Sequence, residues 1–235
     1  MRILIGAPLR QDRRFFADYQ DSLDRLIVPD GVTVDRFFIV NDCDEILPDI
    51  RGDYIVHNTN DAYEKTQDDH KWNDGNLAKM PLLRNMICQK ALDYDYLFSI
   101  DTDLVLHPQT LVALLEADKD ITSEVFWTQG PSGWWCNAWY RGQYDGVSEE
   151  WLKPGLYQVG MTGACTLIKR RVLDKVDYTP IPNVDYWGED RYFCIRAAVH
   201  GYEMWLDTHY PALHLYTEEV YQKYHDYAGK RPGAP

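Results

Sequence analysis

Two aspartates separated by one residue, Asp101 and Asp103, follow the apolar run of residues 97–100. The run is short and β-compatible, so we expect a buried strand. Alternate residues of an extended chain point to the same side, which predicts that both carboxylates face one point beyond the strand's carboxyl end. Converging carboxylates repel unless a cation lies between them, and Mg²⁺ or Mn²⁺ suits oxygen ligands. The pair therefore indicates a divalent metal site, with a helix cap and a solvated side chain as the alternative.

The first half of the chain supplies the elements that must position these acids. Short apolar runs at residues 2–7, 32–40, 54–57 and 97–100 predict strands, and segments of helical spacing lie between them. Strands that alternate with helices favour a mostly parallel sheet. The later strands are shorter and less regular, which predicts a three-layer α/β domain with an added mixed part.

Composition limits the possible partners and the compartment. The chain has 235 residues, of which 45% are hydrophobic, and a formal charge of −13. This charge disfavours a nucleic acid or an anionic membrane as partner. Five widely spaced cysteines without a CxxC pair favour reduced thiols. No apolar run is long enough to span a bilayer, so we expect a cytoplasmic protein without a transmembrane segment.

Four features in a fixed order resemble the metal-dependent GT-A glycosyltransferases, which transfer a sugar from a nucleoside diphosphate sugar. They are Arg84-Asn85, Asp101-Thr102-Asp103, Trp187-Gly188-Glu189-Asp190 before a helix, and the late His214. The resemblance covers about residues 3–214. It is strongest to the family 2 type and to the fungal mannan-polymerase type, which residues 82–108 resemble. These two types differ in stereochemical outcome, so retention and inversion both stay open.

The resemblance implies a GT-A fold, a Rossmann-like three-layer α/β/α sandwich with a mixed central sheet and a small added sheet. It implies one glycosyltransferase domain at 1–214. Within it, 1–105 would be the nucleotide-sugar-binding half and 106–214 the acceptor half. Residues 215–235 form a polar C-terminal tail rich in tyrosine, and we expect its end, residues 229–235, to be frayed.

The resemblance also implies a metal, Mn²⁺ or Mg²⁺, that stabilises the departing diphosphate as a Lewis acid. Asp103 would be the firmer ligand, and Asp101 would reach the metal through water or bind the donor ribose. His214 would complete the ligand set. The alternative for His214 is a packed histidine, with His209 as the substitute ligand.

An inverting transfer needs a carboxylate base that takes the proton of the acceptor hydroxyl. Asp190 matches the position of that base in the family, and Glu189 would orient it or bind an acceptor hydroxyl. In a retaining enzyme, Asp190 would bind the acceptor or stabilise the transition state. A helix start lowers the pKa of a carboxylate, so we expect Asp190 to be ionised. The alternative is that both acids only cap the helix.

Donor contacts are expected at the ends of the first two strands and near the acid pair. By resemblance, four residues there bind the nucleobase and ribose: Pro8, Arg10, Asn41 and Asp42. Asp42 can accept a ring N–H of uracil or guanine, or be only a turn residue. Arg84 and Lys79 can neutralise the diphosphate, and Thr102 belongs to the same motif. A solvated helix face is the alternative for Lys79.

Residues 126–151 combine many tryptophans with glycines and show no clear periodicity, so we expect irregular loops and short strands. Aromatic rings pack on the C–H faces of sugars. Trp134, Trp135 and Trp187 are therefore candidates for an acceptor wall or lid, with Trp139 and Trp151 weaker ones and core packing the alternative. The acceptor would be a saccharide or another hydroxyl compound. Two other functions stay open: a nucleotidyltransferase acting on sugar phosphates, and a non-catalytic sugar-binding module.

Overall fold

The computed structural model of the chain describes residues 1–59, 74–130, 133–140, 149–184 and 188–228. Its helices are α1 (Arg13–Asp24), α2 (Asp74–Ala91), α3 (Thr110–Glu116), α4 (Arg170–Leu173), α5 (Glu189–Val199) and α6 (Glu218–Ala228). Its strands are β1 (Arg2–Leu9), β2 (Thr33–Val40), β3 (Asp53–Val56), β4 (Tyr96–Ser99), β5 (Leu104–Val105), β6 (Ile121–Gly130), β7 (Gly133–Cys136), β8 (Ala138–Trp139), β9 (Leu156–Val159), β10 (Met161–Thr162), β11 (Thr166–Lys169) and β12 (Met204–His214).

The main sheet runs in the order β3-β2-β1-β4-β11-β6-β12-β5, with β7 paired to β6 and β9 paired to β12. The strands of the first half, β1 to β4, are parallel to one another. β11 is antiparallel to both of its neighbours, which makes the sheet mixed. β8 and β10 form a separate two-stranded sheet.

Side chains on alternate positions of the inner strands feed two hydrophobic cores on opposite faces of the sheet. Leu4 belongs to the core that includes α2 and α5, whereas Ile3 and Ile5 belong to the core that includes α1 and α3. This alternation is the period of two expected for a strand buried on both faces. The structure therefore has three layers, α/β/α, with a mixed sheet and a small second sheet, and the predicted fold class is confirmed.

Gly6 in β1 sets how closely α2 can approach the sheet. A Cβ at this position would lie 2.3 Å from Cγ2 of Ile87 on α2. A glycine inside a strand often marks such a close approach. The tight contact brings the middle of α2, which carries Arg84, against the end of β4.

The structure contains two regular elements that the sequence patterns did not predict. In the segment expected to hold irregular loops and short strands, residues 126–130 and 133–136 pair as the regular β6–β7 hairpin. Within the polar, tyrosine-rich tail, residues 218–228 form α6, where Tyr221 stacks on Phe15 of α1 at a centroid distance of 4.5 Å. The missed signal was the apolar face of α6, which buries Tyr221 beside Leu215. Residues 229–235 lie outside the described part.

None of the helices described by the structure is long and apolar enough to cross a bilayer. The cytoplasmic location and the division of residues 1–214 into two halves stay predictions.

Candidate active site

Arg84 on α2 lies at the centre of a cluster of acids beyond the carboxyl end of β4. Its side chain is only 4% exposed, and its Nε donates to Glu189 Oε1 at 2.6 Å. Nη2 donates to Asp101 Oδ1 at 2.9 Å, and Nη1 donates to Ser99 Oγ at 3.2 Å. Burial opposes the charge, but Asp101 and Glu189 outweigh it and hold the pKa of Arg84 well above its ordinary value. One buried guanidinium thus links the first acid pair to the second.

Asp101 and Asp103 do not continue the strand as expected. β4 ends at Ser99, and residues 101–104 form a turn in which Leu104 N donates to Asp101 O at 3.2 Å. The extended i, i+2 geometry is therefore wrong. Asp101 instead faces Arg84, on the α2 side, whereas Asp103 meets a different partner from the far end of the chain.

That partner is His214 at the end of β12. Its Nε2 lies 3.3 Å from Asp103 Oδ2, and its Nδ1 lies 2.9 Å from Thr128 Oγ1 on β6. Both side chains are largely buried. His209, the alternative ligand, is instead held by Asp207, whose Oδ1 accepts from His209 Nδ1 at 3.0 Å. Of the two late histidines, the structure brings His214 to the acid pair.

Glu189 and Asp190 form the first turn of α5. Glu189 is buried against Arg84, as described above. Desolvation, reinforced by Glu189, raises the pKa of Asp190 to about 8. The expectation that the helix start lowers this pKa is wrong. Desolvation destabilises the ionised carboxylate more than the positive partial charge of the helix N-terminus stabilises it.

The candidate donor residues lie at the ends of β1, β2 and β4 and along α2. Asp42 Oδ1 accepts from Thr59 N at 2.8 Å and Oδ2 from Thr59 Oγ1 at 2.8 Å, while Arg10 Nη1 lies 3.5 Å from Oδ2. Asn41 Nδ2 donates to His57 O at 2.8 Å. Both carboxylate oxygens of Asp42 thus have partners within the protein, and its donor role stays a prediction. The remaining candidates are the partly buried Pro8 and Lys79 and the buried Thr102.

The candidate acceptor tryptophans that the structure describes divide into three groups. Trp134 and Trp135 on β7 are 60% and 44% exposed. Trp139 is partly buried, with the Arg191 guanidinium 5.4 Å from its ring centroid. Trp151 is 3% exposed and packs on Tyr140, so it belongs to the core. Trp187 lies outside the described residues.

The donor atoms near Asp103 fit a divalent cation only in part. Across the described ranges, no group of three His, Cys, Asp or Glu side chains has the geometry of a metal site. Asp101 Oδ1 is taken by Arg84, which leaves Asp103 and His214 as two adjacent ligands. Carboxylate oxygen and imidazole nitrogen both bind divalent ions such as Mn²⁺. A pair of protein ligands fits a metal whose other positions are filled by water and phosphates.

Sequence reasoning missed Ser99, Thr128, Asn137 and Gly163, which lie around these acids. The first two bind site residues directly through their hydroxyl groups. Gly163 packs on Asp190, with Asp190 Oδ2 2.4 Å from the place that a Cβ would take. The available signal was a glycine before a buried strand, which often marks a close approach.

Comparisons with known proteins agree with this architecture. No family model matches the chain. The structure of S. aureus TarS residues 1–349 in complex with UDP-GlcNAc is 13% identical, with a TM-score of 0.55 over 94% of this chain and 61% of that 1–349 chain. GalNAc-T7 with UDP, GalNAc and Mn²⁺ is 13% identical, with a TM-score of 0.62 over 93% of this chain and 44% of that protein.

One curated relative was found by sequence. Procollagen-lysine,2-oxoglutarate 5-dioxygenase 1 from Gallus gallus is 27% identical over 150 residues, which is 59% of this chain and 20% of that protein. The chain thus spans less than two thirds of each of these relatives. The fold of the chain is that of the GT-A glycosyltransferases, and the resemblance seen in the sequence is confirmed at this level.

Proposed function

We propose that the chain is a glycosyltransferase that moves a sugar from a UDP- or GDP-sugar to an acceptor hydroxyl. The observation that carries this proposal is a pair of linked contacts: buried Arg84 joins Asp101 to Glu189 of the Glu189-Asp190 pair, and Asp103, two residues from Asp101, adjoins His214. They meet beyond the carboxyl ends of parallel strands, where open α/β sheets bind their ligands. The complexes of TarS and GalNAc-T7 with UDP-containing ligands support a nucleotide donor.

A divalent metal is part of this proposal. Asp103 and His214 would hold it, with Asp101 reaching it through water or binding the donor ribose. Mn²⁺, which is present in the GalNAc-T7 structure, and Mg²⁺ are the candidates. When bound, the ion would supply Lewis-acid stabilisation of the diphosphate leaving group.

For Arg84 we propose a role other than the neutralisation of the diphosphate expected from the sequence. All three of its nitrogens already have partners inside the protein: Glu189, Ser99 and Asp101. We therefore propose that Arg84 fixes Asp101 on the donor side relative to Glu189 on the acceptor side, rather than binding the diphosphate itself.

On the acceptor side, Asp190 would accept the proton of the attacking hydroxyl in an inverting reaction. Its raised pKa of about 8 makes it a stronger base once ionised. In a retaining reaction, the same carboxylate would bind the acceptor. Proton NMR of the anomeric centre of the product distinguishes the two outcomes.

A panel of UDP- and GDP-sugars, incubated with Mn²⁺, with Mg²⁺ or with a chelator, tests the proposal. We expect metal-dependent release of UDP or GDP, and faster release with a suitable saccharide acceptor. Formation of a nucleoside diphosphate sugar from a sugar phosphate would instead indicate a nucleotidyltransferase. Saccharide binding without turnover of any donor would indicate a sugar-binding module.

A further inference from the structure

Gly163, between β10 and β11, lies directly beneath the carboxyl group of Asp190. A Cβ built on Gly163 would lie 2.4 Å from Asp190 Oδ2 and 3.1 Å from Asp190 Cγ. Non-bonded atoms at these distances would overlap and repel each other, and a densely packed interior leaves little room for them to move apart. Any side chain at position 163 must therefore displace either the carboxylate of Asp190 or the main chain.

The main chain at Gly163 is firmly held. Gly163 N donates to Asn137 O at 2.8 Å, and Asn137 Nδ2 donates to Gly163 O at 3.1 Å. The same Nδ2 reaches Glu124 O at 3.0 Å and Ala164 O at 3.3 Å, and Oδ1 accepts from Phe126 N at 3.0 Å. Asn137 is 5% exposed, so these bonds are shielded from water and costly to break.

The segment before Gly163 is also tied to α5, one turn beyond Asp190. Cys194 Sγ donates to Thr162 O at 3.1 Å, and Thr162 N approaches the same sulfur at 3.4 Å. The start of α5 and the backbone at 162–163 are thus one packed unit. Of the two groups that meet, the Asp190 side chain is the one that can rotate.

We propose that Gly163 is a positioning residue for Asp190: its missing side chain leaves the space that the carboxylate occupies, and Asn137 holds this backbone in place. The catalytic consequence rests on the proposed function. The packing of Gly163 against Asp190 can be tested without measuring activity. A misplacement of about 1 Å in a reacting group can cost about 100-fold in rate.

A thermal double-mutant cycle tests the packing. Gly163→Ala should lower the Tm in the wild-type background, and Asp190→Ala, which removes the opposing carboxylate, should recover most of that loss. Gly155→Ala adds the same methyl group beside the partly buried Tyr157 ring and should not couple to Asp190→Ala. If Gly163→Ala does not fold, the double variant should still fold. An equal loss in both backgrounds, or a double variant that also fails to fold, would overturn the proposal.

Kinetics test the consequence. Gly163→Ala should lower kcat at least about tenfold while calorimetric binding of UDP or GDP with Mn²⁺ stays within about twofold of wild type. In the Asp190→Asn background the same substitution should have no further effect on kcat, and a further loss would contradict the proposal. If Asp190→Asn turned over as fast as wild type, the catalytic role of Asp190 would be refuted. The thermal double-mutant cycle would still test whether Gly163 packs against Asp190.

Discussion

Arg84 is the residue on which the arrangement of the site depends most. It is buried between Glu189, which is 4% exposed, and Asp101. Removal of one partner of a buried ion pair leaves an uncompensated charge, which destabilises a protein by about 3–5 kcal/mol. The two acids that it holds come from the turn after β4 and from α5, so its loss should also separate the proposed donor side from the proposed acceptor side.

Arg84→Leu should therefore lower the free energy of unfolding by about 3 kcal/mol or more, measured by urea denaturation. Arg13→Leu is the control, because Arg13 pairs with Asp49 at the surface and a solvated pair contributes little. Replacement of Glu189 as well, in Arg84→Leu/Glu189→Leu, should recover part of the loss. A change in Arg84→Leu as small as that of the control would show that the cluster is not needed for stability.

Asp190 gives the site its expected pH dependence. Because its pKa is raised to about 8, the carboxylate is mostly protonated at pH 7 and becomes available as a base above pH 8. In an inverting enzyme, kcat/KM should rise as pH increases toward 8 and level off above it. Asp190→Asn should lower kcat by about 100-fold or more and remove this rise. A profile unchanged by the substitution would assign the titration to another group.

At the scale of elements, the β6–β7 hairpin separates two neighbouring tryptophans. Trp135 pairs with Thr128 and Trp134 with Gln129, and directly opposed residues share one face of a sheet. The Thr128 hydroxyl binds His214, so Trp135 lies on the face of His214 and Asp103. Trp134 lies on the opposite face, with Trp127 and Cys136.

The two tryptophans should therefore contribute unequally to a sugar site. Trp135→Ala should raise the acceptor KM by about tenfold, equivalent to about 1.4 kcal/mol, or shift the balance from transfer to donor hydrolysis. Trp134→Ala should have a clearly smaller effect on both. Since both side chains lie at the surface, 60% and 44% exposed, neither variant should unfold, which a thermal scan checks. Equal effects, or a larger effect of Trp134→Ala, would contradict the face assignment.

At the scale of the whole molecule, Glu124 should make stability depend on pH. It is 0% exposed and pairs in register with Asp207, and desolvation raises its pKa to about 9. Glu124 of the folded protein keeps its proton up to about pH 9, whereas Glu124 of the unfolded chain releases it above the ordinary pKa of 4.5. The free energy of unfolding therefore falls as pH rises from 4.5 to about 9.

The Glu124 contribution should reach about 1.4 kcal/mol per pH unit within that window. Glu124→Gln should make the slope of unfolding free energy against pH shallower between pH 5 and pH 8, as measured by urea denaturation. The test is this slope, since the substitution can also change the free energy of unfolding by the same amount at every pH. An unchanged slope would mean that another group carries the dependence.

Much of the fold follows from local sequence patterns. Apolar runs with alternating helices predicted the parallel half of the sheet, because strand periodicity is a local property. The pairing of Asp103 with His214, 111 residues away, followed only from resemblance, since spacing does not encode such contacts. The turn after Ser99, the hairpin carrying Trp135 and the close contact at Gly163 depend on tertiary packing, which periodicity does not record.

Calorimetry of UDP and GDP binding, with Mn²⁺ and with a chelator, tests the central claim most directly. In the presence of Mn²⁺, one of the two nucleotides should bind at least about tenfold more tightly than with chelator, because Asp103 and His214 would hold an ion whose charge favours the diphosphate. Asp103→Asn should abolish this difference, whereas Asp118→Asn, which alters an aspartate with an 80% exposed side chain, should preserve it. Equal affinity of wild-type protein with Mn²⁺ and with chelator would contradict a metal-dependent donor site at Asp101, Asp103 and His214.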